Sequence, residues 1–247
     1  MYVPIGDDNS DRTITPYVNY LIIALNVLVF VFLQGMNGNN VFTLSYATVP
    51  AEILSGRDIV TNAKLITDPS TGEQFTIPGL GPTLIPVYFT LITSMFMHGG
   101  WAHIAGNMLY LWIFGDNIEN AIGHKRYLFF YLLCGIIASL SHVFVTKFLG
   151  QNPLIPSLGA SGAISGVLGA YILLFPRRRV TMFFIRFITQ VSALWAIGIW
   201  IVFQLINGLG MLGGAEAGGV AYGAHLGGFI AGLLLIKFFL PRRSQTI

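Results

Sequence analysis

Apolar residues run in long blocks along this chain, and polar residues gather between them. No Asp, Glu, Lys or Arg occurs between Arg12 and Glu52, or within 74–115, 127–146, 148–176, 187–215 or 217–236. A helix needs about 20 mainly apolar residues to cross a hydrocarbon layer. The blocks predict six such helices, near Tyr17–Leu33, Trp101–Phe114, Tyr127–Phe148, Ser161–Phe175, Phe187–Ile206 and Gly223–Leu240. The second and fourth are short and open on polar residues, as expected of helices that begin partway into a membrane behind protein cover. The expected fold is an all-α polytopic membrane protein, a six-helix bundle forming one domain over residues 1–247.

The polar segments complete this plan. Met1–Thr15 is polar and no A-x-A site follows the first apolar run, so that run reads as an uncleaved anchor rather than a secretory signal. Residues 34–86 are too polar to span, and Pro69–Gly72 and Pro78–Pro82 are turn signals. They read as an ordered external loop lying partly against the membrane. Orientation follows Lys and Arg in short loops. Ten basic residues (Arg12, Lys125, Arg126, Arg177, Arg178, Arg179, Arg186, Lys237, Arg242, Arg243) fall on one side of the plan, and Arg57, Lys64 and Lys147 on the other. Residues 1–16 and the C-terminus are then cytoplasmic. The expected location is a prokaryotic plasma membrane.

Composition narrows the function classes. The chain is 54% hydrophobic and 9% charged, with net charge +3; soluble domains carry about 25% charge. Mean hydropathy is +0.71. Disorder, a nucleic-acid-binding domain and a disulfide scaffold are excluded, and the lipid bilayer is the implied surrounding. The single cysteine, Cys134, leaves neither an internal disulfide nor a thiolate metal cluster.

Polar side chains inside apolar helices are costly and mark function. Ser161 lies in Gly159-Ala160-Ser161-Gly162, just after Pro153 and Pro156. It would sit at a helix N-terminus, where free N–H groups suit a developing oxyanion. By itself it could equally be a cap or a small residue in a packing seam. His225 precedes Gly228 and Gly232, and Ser161 precedes Gly162, Gly166 and Gly169. Two such small faces let helix backbones approach closely, and pairing them would bring His225 beside Ser161. A histidine bonded to a carbonyl, or ligating haem or metal, is the alternative. His103 and Asn107, four apart, share a helix face and can donate toward one point; they could instead tie helices together. His98 reads as a loop brace, His124 as solvated, and His142 as lacking an obvious partner.

Together these residues resemble the rhomboid family of intramembrane serine proteases. The resemblance covers residues 86–240 and has four parts in order: His98-x4-His103-x3-Asn107; Gly115-x3-Glu119-x3-Gly123 followed by Lys125-Arg126-Tyr127; Gly159-Ala160-Ser161-Gly162; and Ala224-His225-x2-Gly228-x3-Gly232. It implies a six-helix bundle with Ser161 as nucleophile and His225 as general base. It implies an oxyanion hole of His103, Asn107 and the Ser161 backbone N–H, a structural Glu119 bracing the loop after the second helix, and no cofactor or metal. It also implies hydrolysis, through an acyl-enzyme, of peptide bonds in or near transmembrane segments of single-pass or other membrane proteins. Two positions depart from the pattern. Phe89-Thr90 stands where many relatives carry Trp-Arg, and Ser165 where some carry a Tyr stacked on the histidine. No acidic residue lies on a helix facing the site, so a dyad is expected, with Glu216 a weak third candidate. Glycine-rich Gly208–Gly223 is the expected cap, and the fifth helix, with Trp195, Trp200 and Phe203, the expected gate. A transporter, a channel or a haem- or metal-binding membrane protein is the competing reading.

Overall fold

The computed structural model describes residues 2–67, 72, 74–212 and 221–241. The order is β1 (Tyr2–Asp7), α1 (Tyr17–Leu28, prolonged by a π-helical turn over Val29–Leu33), α2 (Val41–Tyr46), α3 (Pro50–Ser55), β2 (Lys64–Thr67), β3 (Gln74–Ile77) and α4 (Thr90–Thr93). Then follow α5 (Trp101–Ile122), α6 (His124–Phe148), α7 (Ser161–Leu174), β4 (Arg179–Phe184), β5 (Phe187–Ser192), α8 (Ala193–Leu212) and α9 (Tyr222–Phe239). The chain is mostly helical. Helices α6 and α9 are each long and apolar enough to cross a membrane, while Tyr17–Leu33, Ser161–Leu174 and Ala193–Leu209 are shorter apolar helices.

Helices α6, α7 and α9 pack on one another, and glycine sets the distance. A Cβ on Gly228 would run into the carbonyl oxygen of Gly162, and one on Gly232 into the backbone of Gly166. Toward α6, a Cβ on Gly162 would come within 2.7 Å of Ala138 Cβ. No larger residue allows these backbones to touch. The rest of the core is aliphatic and aromatic: Leu111, Phe114, Phe130, Tyr131, Val167, Leu168 and Tyr171 are all within 1% of full burial.

The fold is not all-α. Strands β1, β4 and β5 form an antiparallel sheet in that order, with Asp7 opposite Val180 and Val180 opposite Val191. The fifth apolar block is therefore strand over Phe187–Ser192 and helix only from Ala193. Charge cannot divide them, because neither half carries a charged residue. What separates them is pairing: Phe187–Ser192 runs antiparallel along β4, whose Val180 and Met182 are buried in the main core. The expected loop over 34–86 is likewise structured, by α2, α3 and the β2–β3 hairpin. The turn expected at Pro69–Gly72 and the basic pair Arg242–Arg243 fall largely or wholly outside the described residues.

The sheet lies at the end of the bundle where α5 and α7 finish. Arg12 bonds Asp116 at 2.8 Å, and Arg178 bonds Asp11 and Asn117. Asp7 Oδ2 accepts from Tyr171 Oη at 2.5 Å and from Asn117 Nδ2 at 2.7 Å. Burial pushes the Asp7 carboxyl from its ordinary 3.8 up to about 7; the hydrogen bonds and Arg178 oppose this, and the Asp116 charge adds to it. The folded protein thus holds this proton more tightly than the unfolded chain. That contribution is complete below the unfolded value of 3.8 and is lost as pH rises through about 7. The thermal midpoint in detergent should accordingly fall between about pH 5 and pH 8, and Asp7→Asn should flatten that fall. An unaltered slope in the variant would place the titration elsewhere.

Candidate active site

Ser161 is the first residue of α7, so its N–H lies outside the helical ladder. His225 lies in the first turn of α9, facing Ser161 across the glycine seam. Its Nε2 is 2.7 Å from Ser161 Oγ. Its Nδ1 is 2.7 Å from Oε1 of Gln204, on α8. Both nitrogens are thus engaged, one by a hydroxyl and one by an amide carbonyl.

A second group converges beside Gly159. That glycine has φ +121°, a conformation other residues rarely adopt, and its N–H bonds the Ser94 carbonyl at 2.8 Å. A Cβ there would stand 2.8 Å from His103 Nε2 and 3.7 Å from Asn107 Nδ2. Gly159 therefore clears the space those two side chains use. The N–H of Gly99 donates to His103 Nδ1 at 3.2 Å. A neutral imidazole accepting at Nδ1 carries its proton at Nε2, the nitrogen nearest Gly159. Asn107 Nδ2 is buried and has no hydrogen-bond partner among the described residues. Two donors thus point into one spot, two residues before Ser161.

The other expected site residues are placed as follows. His98 is fully buried, its ring 5.1 Å from that of His103. Its bracing is done by the backbone, with N–H donating to Gln34 Oε1 and C=O accepting from Gln34 Nε2, both at 2.9 Å. Glu119 accepts from the backbone N–H of Val18 at 3.0 Å and Asn19 at 2.7 Å, completing the start of α1. His124 is not simply solvated: its Nδ1 is 2.5 Å from Glu119 Oε1. Gly162, Gly228 and Gly232 form the seam already described. Ser165 donates to the Ser161 carbonyl at 2.6 Å. Thr90 donates to the Val87 carbonyl at 2.6 Å, while Phe89 is exposed. Glu216 and part of the expected cap lie outside the described residues. No group of three His, Cys, Asp or Glu is placed to hold a metal ion among the described residues.

Two neighbours of His225 come from α8. Trp200, expected in the gate, has its ring 5.9 Å from the imidazole, tilted by 40°, while Trp195 and Phe203 are exposed. Gln204 is the one polar side chain in the run Ala193–Ile206. A polar group on an apolar helix calls for a partner, but from the sequence Gln190 shared the same expected helix.

Comparison with known proteins agrees with the motifs. The family model for the rhomboid domain matches residues 86–242. Among curated relatives, Rhomboid protein 1, mitochondrial, of Saccharomyces cerevisiae is 34% identical over 146 residues, 59% of this chain and 40% of its own. Rhomboid protease GluP of Bacillus subtilis is 32% identical over 219 residues, 88% of this chain and 34% of its own. Presenilin-associated rhomboid-like protein, mitochondrial, of Bos taurus is 29% identical over 180 residues, 66% of this chain and 44% of its own. The chain thus spans less than half the length of each of these relatives. It belongs to the rhomboid family, whose members are integral membrane proteins.

Proposed function

We propose that this protein is an intramembrane serine endopeptidase that cuts peptide bonds in or near transmembrane segments of other membrane proteins. The observation that carries the reading is the 2.7 Å contact of Ser161 Oγ with His225 Nε2, beside two inward-facing donors. Membership of a family that includes a named rhomboid protease supports it. In this reading α1, α5, α6, α7, α8 and α9 cross the bilayer, with the β1–β4–β5 sheet on the cytoplasmic side. The prokaryotic plasma membrane expected from the sequence gains no support from relatives named mitochondrial, so the proposal stops at an integral membrane location.

The chemistry follows from the geometry. A serine hydroxyl is a weak nucleophile and needs a base within hydrogen-bond reach. His225 Nε2 takes the Oγ proton as Oγ attacks the scissile carbonyl carbon. The resulting oxyanion is met by the His103 Nε2–H, the Asn107 Nδ2–H and the Ser161 backbone N–H. Such donors are worth most where water is excluded. As the C–N bond breaks, Nε2 returns the proton to the leaving amine, and the acyl group stays as an ester on Ser161. Water, deprotonated by the same nitrogen, then cleaves the ester. Asn107→Ala removes one donor and should lower kcat by about 10²–10³-fold, measured on a fluorogenic transmembrane peptide. A loss as deep as that of Ser161→Ala would contradict the division of roles.

Reconstitution tests the function itself. The purified chain in proteoliposomes with a single-pass substrate should release two fragments, unaffected by chelators, and Ser161→Ala should release none. Chelator-sensitive cleavage, or equal cleavage by Ser161→Ala, would overturn the proposal.

A further inference from the structure

The Ser–His pair just proposed leaves one matter to be explained, namely what holds the imidazole. A histidine base works only in the tautomer that leaves a lone pair facing the nucleophile, and a partner on the other nitrogen selects it. Among the described residues no carboxylate is beside His225. The titratable side chains around it are His103 of α5, His142 of α6 and Tyr222 of its own helix. The interacting face of α7 offers Ser161, and α8 carries no titratable group at all. Ser165, on the helix of the nucleophile, is committed to the Ser161 carbonyl.

Two further contacts come from α8. Gln204 Oε1 stands 2.7 Å from Nδ1. Trp200, four residues earlier and so on the same face of the helix, lies against the ring. A side-chain carbonyl can only accept, so Nδ1 must carry the hydrogen and Nε2 the lone pair. The opposite amide orientation would put a donor against Nδ1, turn Nε2 into a donor toward Ser161, and leave no base.

We propose that Gln204 is a positioning residue: its carbonyl accepts the Nδ1 hydrogen of His225, fixes the tautomer in which Nε2 faces Ser161, and ties the base to α8. The inference rests on the Ser161–His225 reading and adds a third, uncharged member to it. The imidazolium formed during reaction then has an amide dipole, not a carboxylate, for support. It also makes seating of α8 against α9 a condition for a correctly oriented base.

The test uses the full chain in detergent with a transmembrane peptide substrate, comparing wild type, Gln204→Leu and Gln204→Glu. Leucine keeps the bulk and removes the acceptor. It should lower kcat by roughly 10–100-fold with KM within about twofold, and should move the acid limb of the kcat–pH profile to lower pH. Glutamate restores an acceptor and adds charge. It should recover most of the lost kcat and move the acid limb to higher pH. A residue that merely packs would give similar losses in both variants and leave the limb in place, which overturns the proposal. Should Gln204→Leu fail to fold, the direction of the limb in Gln204→Glu decides alone. Ser161→Ala is run in parallel. Cleavage that persists there removes the protease reading itself, whereas its loss there, with wild-type kcat and limb in both Gln204 variants, removes only the role of Gln204.

Discussion

On the proposed mechanism, His225→Ala is expected to lower kcat by about 10⁴–10⁶-fold, because Ser161 would then have no base and the leaving amine no acid. KM should change little, since in the proposed mechanism the imidazole moves a proton rather than holding the substrate. The double variant with Ser161→Ala should be no slower than either single one, as members of one catalytic unit lose their effect together. The measurement is single-turnover cleavage of a transmembrane peptide in detergent. A fall of less than about tenfold in His225→Ala would mean that another group takes the proton.

The second large effect falls on the seam. Gly232 lies two turns from His225 on the same face of α9, and a Cβ there meets the backbone of Gly166. Backbone cannot move aside as a side-chain tip can, so Gly232→Val must push α9 away from α7. Overpacking of this kind costs about 1–3 kcal/mol, which lowers the thermal midpoint by roughly 2–12 °C for a chain of this size. The same displacement opens the Ser161–His225 contact, and an error near 1 Å can cost about 10²-fold in rate. Ile230, exposed on the other side of α9, supplies the control: Ile230→Ala should leave both quantities close to wild type. Differential scanning fluorimetry beside the cleavage assay reads both. A Gly232→Val protein with wild-type midpoint and rate would show that the seam does not set the helix spacing.

The sequence exposed the parts of this site that depend on local pattern. Pro153 and Pro156 ahead of Ser161 marked a helix start, and glycine spacing in two distant segments foretold the α7–α9 contact that brings Ser161 and His225 within hydrogen-bond distance. Parts that depend on long-range pairing were hidden. Strand β1 acquires its partner about 175 residues away in β4, and a polar N-terminus gives no sign of that. Strand β5 runs into α8 with no charged residue, Gly or Pro between them, so its six residues read as helix. Glu119 was legible as structural only by family likeness. What it holds, the free N–H groups opening α1, is set by how α1 packs on α5. Gln204 shared the expected fifth helix with Gln190, and its partner became visible only with α8 laid against α9.

Covalent trapping addresses the central claim most directly. The purified protein is treated with a fluorophosphonate, digested and sequenced by mass spectrometry. An adduct on Ser161, absent from Ser161→Ala and strongly reduced in His225→Ala, is the predicted result. An adduct on any other residue, or undiminished labelling in Ser161→Ala, would contradict it.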